Sequence, residues 1–306
     1  MDWPTLQMPG WQETRATLHM WTQIVGKTRL ALAPFQNHWW NVPLYVSARG
    51  LTTSPVPSGD RTLEVEFDFI LHVLELRSSD GRSVAIPLTS RPVAAFFREY
   101  LAALESLGVH TRFLGRPNEV RESIPFAQDF KHATYDPGWA AALWRVLQLL
   151  RNLFEQFRGE FIGKASPVHF FWGGFDLAAT RFSGRTAPLH PGGAPNTPSY
   201  VMQEAYSHEV SSAGFWPGDE SFPEAALYSY AYPEPPGFAA ADPGPAEARY
   251  DDTLREFVLP YEKLRLLGDP KAATLQFLRS TYAAAASLGK WDRGALERTP
   301  AGPIHG

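Results

Sequence analysis

Apolar and polar residues alternate most cleanly over residues 64–76, EVEFDFILHVLEL. Val65, Phe67, Phe69, Leu71 and Val73 fall on one face, and Glu64, Glu66, Asp68 and His72 on the other. That period of two predicts a strand with one face on a core. Ser79-Asp80-Gly81 then turns the chain into a short strand, SVAIPL (83–88). Strand character recurs in RLALA (29–33) and PLYVSARGL (43–51), on either side of a turn-like FQNHWWN. It returns in PVHFFW and DLAATRF, which flank a hairpin signal at Gly173-Gly174, and in YVMQEAYSHEV (200–210) and AALYSYAYP (225–233).

Between these runs the spacing changes to that of helices. Leu18, Trp21 and Val25 form a stripe over 12–25 that stops at Gly26. Val93, Phe96, Phe97, Tyr100, Leu104 and Leu107 form another over 91–107, with Ser90 as N-cap, Pro92 in the first turn and Gly108 past the end. Asp136-Pro137 opens a long helix with Leu143, Val146, Leu147, Leu150, Phe154 and Phe157 on one face. Asp269-Pro270 opens a last one that ends near Gly289. Residues 109–133 carry no clear pattern, 233–248 have the composition of a surface loop, and 293–306 read as a disordered tail.

The two halves repeat an order of elements. Ile24-Val25-Gly26-Lys27 matches Phe161-Ile162-Gly163-Lys164 at an offset of 137, and Arg49 matches Arg185 at 136. Asp68-xxx-His72 matches Glu204-xxx-His208, also at 136. A nearly constant offset suggests duplication; chance similarity between β-rich segments is the plainer reading. The expected architecture is therefore α+β, with two related halves of helix, antiparallel strands and helix (1–133 and 134–292) about a pseudo-twofold axis.

Composition narrows the classes of function. At 306 residues the chain can bury a large core, and 44% hydrophobic with 20% charged residues is ordinary for a globular protein. The net charge of −4 argues against a nucleic-acid partner. There is no cysteine, which excludes disulfides and thiolate chemistry and suits a reducing cytoplasm. The N-terminal sequence has no signal-peptide pattern, and residues 139–157 are too interrupted by Arg145, Gln148, Arg151 and Asn152 to span a membrane. Ten Trp, 11 Tyr and 20 Phe exceed the needs of an average core and suit a ring-lined pocket.

Candidate chemistry rests on scattered polar residues. The two acid-xxx-His pairs are the first candidates. Residues four apart on a regular strand share a face but stand about 13 Å apart, so a metal held by His72 and His208 needs ligands from other strands. A solvated sheet face is the plainer reading. His169 suits a general base, with Glu204 and His208 as partners, although a histidine there is more often a satisfied core residue. Arg181 and Arg185, with Lys164 and Lys27, would gather an anion if they converge, and salt bridges would occupy them otherwise. Trp40, Arg49, Trp172, Tyr206 and Trp216 complete the candidate ligand-binding set. Gly26-Lys27-Thr28 resembles the end of a phosphate-binding loop, but that motif needs glycine at position 21, which is Trp.

Over HWWNVPLYVSARGLTT, SPVHFFWGGFDLAATRFSGR and EAYSHEVSSAGFWPG the chain resembles an uncharacterised bacterial protein family catalogued only as a domain of unknown function. The resemblance runs from Trp11 to about Trp291. It implies a bacterial, cytoplasmic protein and carries over no activity, cofactor or catalytic residue. The leading expectation is binding of a small polar or anionic molecule in an aromatic-lined pocket between the halves. A metal- or His-dependent hydrolase and a protein-partner module are the alternatives.

Overall fold

In a computed structural model of the chain, residues 3–7 and 10–298 are described. In chain order they form α1 (Gln12–Leu32), β1 (Tyr45–Val46), β2 (Gly50–Thr52), β3 (Val56–Ser58), β4 (Arg61–Asp68), β5 (Val73–Ser78), β6 (Ser83–Pro87), α2 (Val93–Ser106) and α3 (Pro137–Gly159). The chain continues through β7 (His169–Phe171), β8 (Asp176–Thr186), α4 (Ser199–Ala205), β9 (His208–Trp216), β10 (Ala226–Tyr232), β11 (Arg249–Asp251) and β12 (Glu256–Pro260). It closes with α5 (Tyr261–Leu264), α6 (Pro270–Leu288) and α7 (Arg293–Leu296). The fold is α+β, with two antiparallel six-stranded sheets. One runs β1-β2-β4-β5-β6 with β3 also on β4, and the other runs β11-β12-β10-β9-β8-β7.

The chain divides into two compact units. The first holds residues up to Gln148 with His169–Asp176 and Gly192–Val201; the second holds Leu149–Val168, Leu177–Pro191 and the residues from Met202 onward. In the first unit α1 packs on α2 and β3. Trp21 stacks on Phe96 at 4.6 Å, and Thr28 Oγ1 meets the Tyr100 hydroxyl at 2.8 Å. In the second unit α6 lies on β9 and β10, burying Phe277 and Leu278. No helix among the described residues is long and apolar enough to cross a membrane.

Four expectations change. First, α1 does not stop at Gly26 but absorbs RLALA and ends at Ala33. Pro34 ends it, because the residue before a proline is driven to extended geometry, and Ala33 has ψ 136°. Second, YVMQEAYSHEV is not one strand. After Pro198 it makes the helix α4, and β9 begins only at His208. Third, EVEFDFILHVLEL is not one strand but breaks into β4 and β5, paired antiparallel about a turn at 69–72, and Leu71 leaves the core face. Asp68 Oδ1 accepts from the backbone N–H groups of Ile70 and Leu71, both at 2.9 Å, and the turn it makes exposes both side chains. Fourth, Ser90 does not cap α2, since its hydroxyl exchanges hydrogen bonds with the backbone of Tyr135.

The N-cap of α6 is as expected, with Asp269 accepting from Ala272 N at 3.0 Å. Arg293–Leu296 of the expected tail form the one-turn helix α7, and residues 299–306 lie outside the described residues.

The segments matched at offsets of 136 and 137 fall in unlike elements. Gly26-Lys27 lies inside α1, whereas Gly163-Lys164 follows α3. Asp68 ends a strand, whereas Glu204 is helical. Arg49 sits in the turn before β2, whereas Arg185 is within β8.

One glycine of the first sheet has a direct test. A Cβ on Gly50 would stand 1.8 Å from the carbonyl oxygen of Phe67 on the paired strand β4. Neither backbone can yield without breaking the ladder. Gly50→Ala is expected to cost about 3 kcal/mol or more, read as a lower urea midpoint.

Candidate functional site

Helix α1 carries polar residues at every fourth position: Arg15, His19, Gln23 and Lys27. Residues four apart lie on one inclined row of a helix. All four are buried, Gln23 and Lys27 to 0% and 2% exposure. A buried polar row on a helix that has Leu18, Trp21, Ile24 and Val25 for a core stripe requires partners for each group. For His19, Gln23 and Lys27 the loop 115–123 and the Gly173-Gly174 turn supply them.

His19 Nε2 donates to the Gly173 carbonyl at 2.8 Å. A carbonyl only accepts, so the neutral ring carries its proton on Nε2. Burial first, then the Arg15 guanidinium, hold its pKa down to about 4. Gln23 forms a reciprocal pair with the backbone of Asn118. Its amide donates to the Asn118 carbonyl at 2.7 Å, and its own oxygen accepts from Asn118 N at 2.8 Å. Lys27 donates to Asn118 Oδ1, and its ammonium sits 5.4 Å from the ring centre of Trp172. Among the described residues no carboxylate lies within 4.0 Å of it to make an ion pair. Burial pushes its pKa down to about 8, with Glu119 acting in the other direction.

Glu119 lies beside this ammonium. The residue is exposed as a whole, but its carboxyl lies against the glycine turn. A Cβ on Gly173 would stand 2.2 Å from Oε1. Removal of the carboxyl from water, then the charge of Asp176, raise its pKa to about 7, and Lys27 opposes them. The Glu119 backbone has φ 60°, a left-handed conformation that side chains other than glycine resist. The loop is fixed by Glu119 N donating to Pro195 O at 2.8 Å and by Asn118 Nδ2 donating to Asn196 O at 2.7 Å. Groups with such displaced pKa values gather at functional sites.

The other candidates of the first unit take structural positions. Trp172 lies over Gly26, whose missing Cβ would stand 2.2 Å from the indole, and its Nε1 donates to Val42 O at 2.8 Å. His169 is fully buried among Tyr45 (5.5 Å), Phe171 (5.3 Å) and Trp40 (6.1 Å). Arg49 pairs with Asp68, and His72 Nδ1 meets the Tyr135 hydroxyl at 2.8 Å.

In the second unit Arg181 is enclosed by rings, 3.5 Å from Phe157, 4.3 Å from Tyr282 and 5.1 Å from Phe161. It also donates to the Phe157 carbonyl, so it is a core cation. Arg185 pairs with Glu209 at 2.6 Å and donates to the Gly289 and Lys290 carbonyls at the end of α6. Lys164 lies over Phe182. These three cations have separate surroundings and do not gather around one point. Tyr206 bonds the Tyr230 hydroxyl at 2.6 Å and stacks with His190, and Trp216 stacks on Phe222. Glu204 lies on α4, and His208, bonded to Ser207 Oγ at 3.1 Å, opens β9. Among the described residues no three His, Asp or Glu side chains are grouped to hold a metal.

The sequence reading missed Arg15, His19, Gln23, Asn118 and Glu119. The spacing Arg15-xxx-His19-xxx-Gln23-xxx-Lys27 was the available signal. It was cut by placing the helix end at Gly26.

An α+β protein with a buried polar row on its first helix is thus the class defined by fold and site. The chain belongs to the family of unknown function DUF5996, which it matches over residues 3–298. No curated protein matches it, and no solved structure does.

Proposed function

We propose that the protein binds a small anionic molecule in its first unit, at Lys27. One observation carries this reading: Lys27 is 2% exposed as a residue, and its ammonium makes a single side-chain hydrogen bond and, among the described residues, no ion pair. Buried charges are normally paired, because taking an ion out of water costs several kcal/mol. A carboxylate or phosphate ligand would supply the missing partner for two of the three ammonium protons. The Trp172 ring and the amides of Gln23 and Asn118 give the site its walls.

Native mass spectrometry of the full chain tests this, followed by calorimetric titration with inorganic phosphate and a panel of small carboxylates. Wild type is expected to retain or bind an anion, and Lys27→Met to bind it at least about tenfold more weakly. Equal binding by both proteins would remove Lys27 from the site.

Acid–base chemistry is the second reading, favoured by Glu119 near pH 7 and Lys27 near pH 8 in one cluster. A cytoplasmic location fits a chain with no cysteine.

A further inference from the structure

Two carboxyl groups flank the glycine turn beside Lys27. A Cβ on Gly174 would stand 2.7 Å from Asp176 Oδ1 and 3.7 Å from Glu119 Oε2, so both acids border the same small volume. Glu119, like Lys27, makes no ion pair among the described residues. The two feel each other's charge, yet they do not close the short contact that would neutralise both.

The fold holds them in this arrangement. Glu119 is fixed by its left-handed backbone and by the bond from its N–H to Pro195 O. Lys27 is fixed by α1 and by Asn118. A cation and an acid, neither in an ion pair, are thus held on adjacent chain positions, Lys27 on Asn118 and Trp172, Glu119 on Gly173, with Asp176 at the same glycine turn.

A ligand with only negative charge would satisfy Lys27 but would be repelled by Glu119 and Asp176. A ligand with only an amine would pair with the acids and leave the ammonium uncompensated. Only a molecule carrying both charges matches the site, since each end meets its opposite and no net charge is buried.

We propose that the ligand of the Lys27 site is a zwitterion, a small molecule with an ammonium group close to a carboxylate, such as a free amino acid. Its carboxylate sits on Lys27 and its ammonium on Glu119. This rests on the reading of Lys27 as an anion site and names the class of molecule that occupies it.

The experiment is calorimetric titration of the full chain with the twenty standard amino acids, β-alanine and γ-aminobutyrate. For each amino acid that binds, two matched probes follow: the acid lacking the amine and the amine lacking the carboxylate. At least one amino acid is expected to bind, and both matched probes to bind about tenfold or more weakly. Lys27→Met and Glu119→Gln are each expected to weaken the amino acid by a similar factor, with circular dichroism confirming that both variants fold.

If amine-free carboxylates bind through Lys27 equally well, or better in Glu119→Gln, the zwitterion is overturned while the anion site stands. If no amino acid binds, the zwitterion is likewise overturned. If phosphate and carboxylates also fail to bind, the anion site falls with it.

Discussion

Replacing Lys27 with methionine is expected to stabilise the ligand-free protein by about 1–3 kcal/mol while weakening anion binding at least about tenfold. The two side chains have similar length, and methionine adapts to irregular surroundings such as the face of Trp172. What the substitution removes is a buried charge with one hydrogen-bond acceptor. The fall of its pKa from 10.5 to about 8 corresponds to about 3.5 kcal/mol at most, at about 1.4 kcal/mol per pH unit.

The sign of the pH dependence follows from proton counts. Between pH 8 and 10.5 the unfolded chain holds a proton that folded Lys27 has released. Wild type therefore gains stability as pH rises through that window, and the variant lacks this gain. Urea midpoints at pH 7 and pH 9.5 for both proteins check both statements. A variant less stable at pH 7, with an unchanged pH slope, would mean that Lys27 is already satisfied in the fold.

Gly26→Ala is expected to destabilise the first unit by about 2–3 kcal/mol, against the helical preference of alanine. In a solvent-facing helix this change would gain about 1 kcal/mol. Here the new methyl would stand 2.2 Å from Cδ1 and 2.3 Å from Nε1 of Trp172. That indole cannot simply swing away, because its N–H is bonded to Val42 O at 2.8 Å. Overpacking costs of about 1–3 kcal/mol, with loss of that buried bond, outweigh the helical gain. Displacing Trp172 also moves a wall of the Lys27 site, so the loss of stability should come with weaker ligand binding. An unchanged urea midpoint would show that the indole is free to shift.

The same contact explains which parts of the fold were legible in the sequence. The turn into β6 follows from Ser79-Asp80-Gly81, and the starts of α3 and α6 from Asp-Pro pairs, since these signals lie within a few residues of the structure they cause. Gly26 was misread because glycine ends helices when nothing else fills its surface, and here Trp172, distant in sequence, fills it. Leu71 was misread because one side chain, Asp68, turns the chain back between β4 and β5, where alternation alone reads one continuous strand. The aromatic and arginine candidates were read by type, and Arg181 shows the limit of that, since a guanidinium enclosed by three rings cannot meet a ligand. The site itself joins residues 19–27, 118–119 and 173–176, and no single window of sequence contains it.

The most direct test of the account is the titration of Lys27 itself. The chain has six lysines, so the 13Cε resonances of lysine-labelled protein can be followed one by one, with Lys27→Met giving the assignment. A midpoint near pH 8 that moves up when an anion binds is the result expected of a buried ammonium awaiting its partner. A midpoint near the ordinary lysine value of about 10.4, unmoved by any anion, would contradict it.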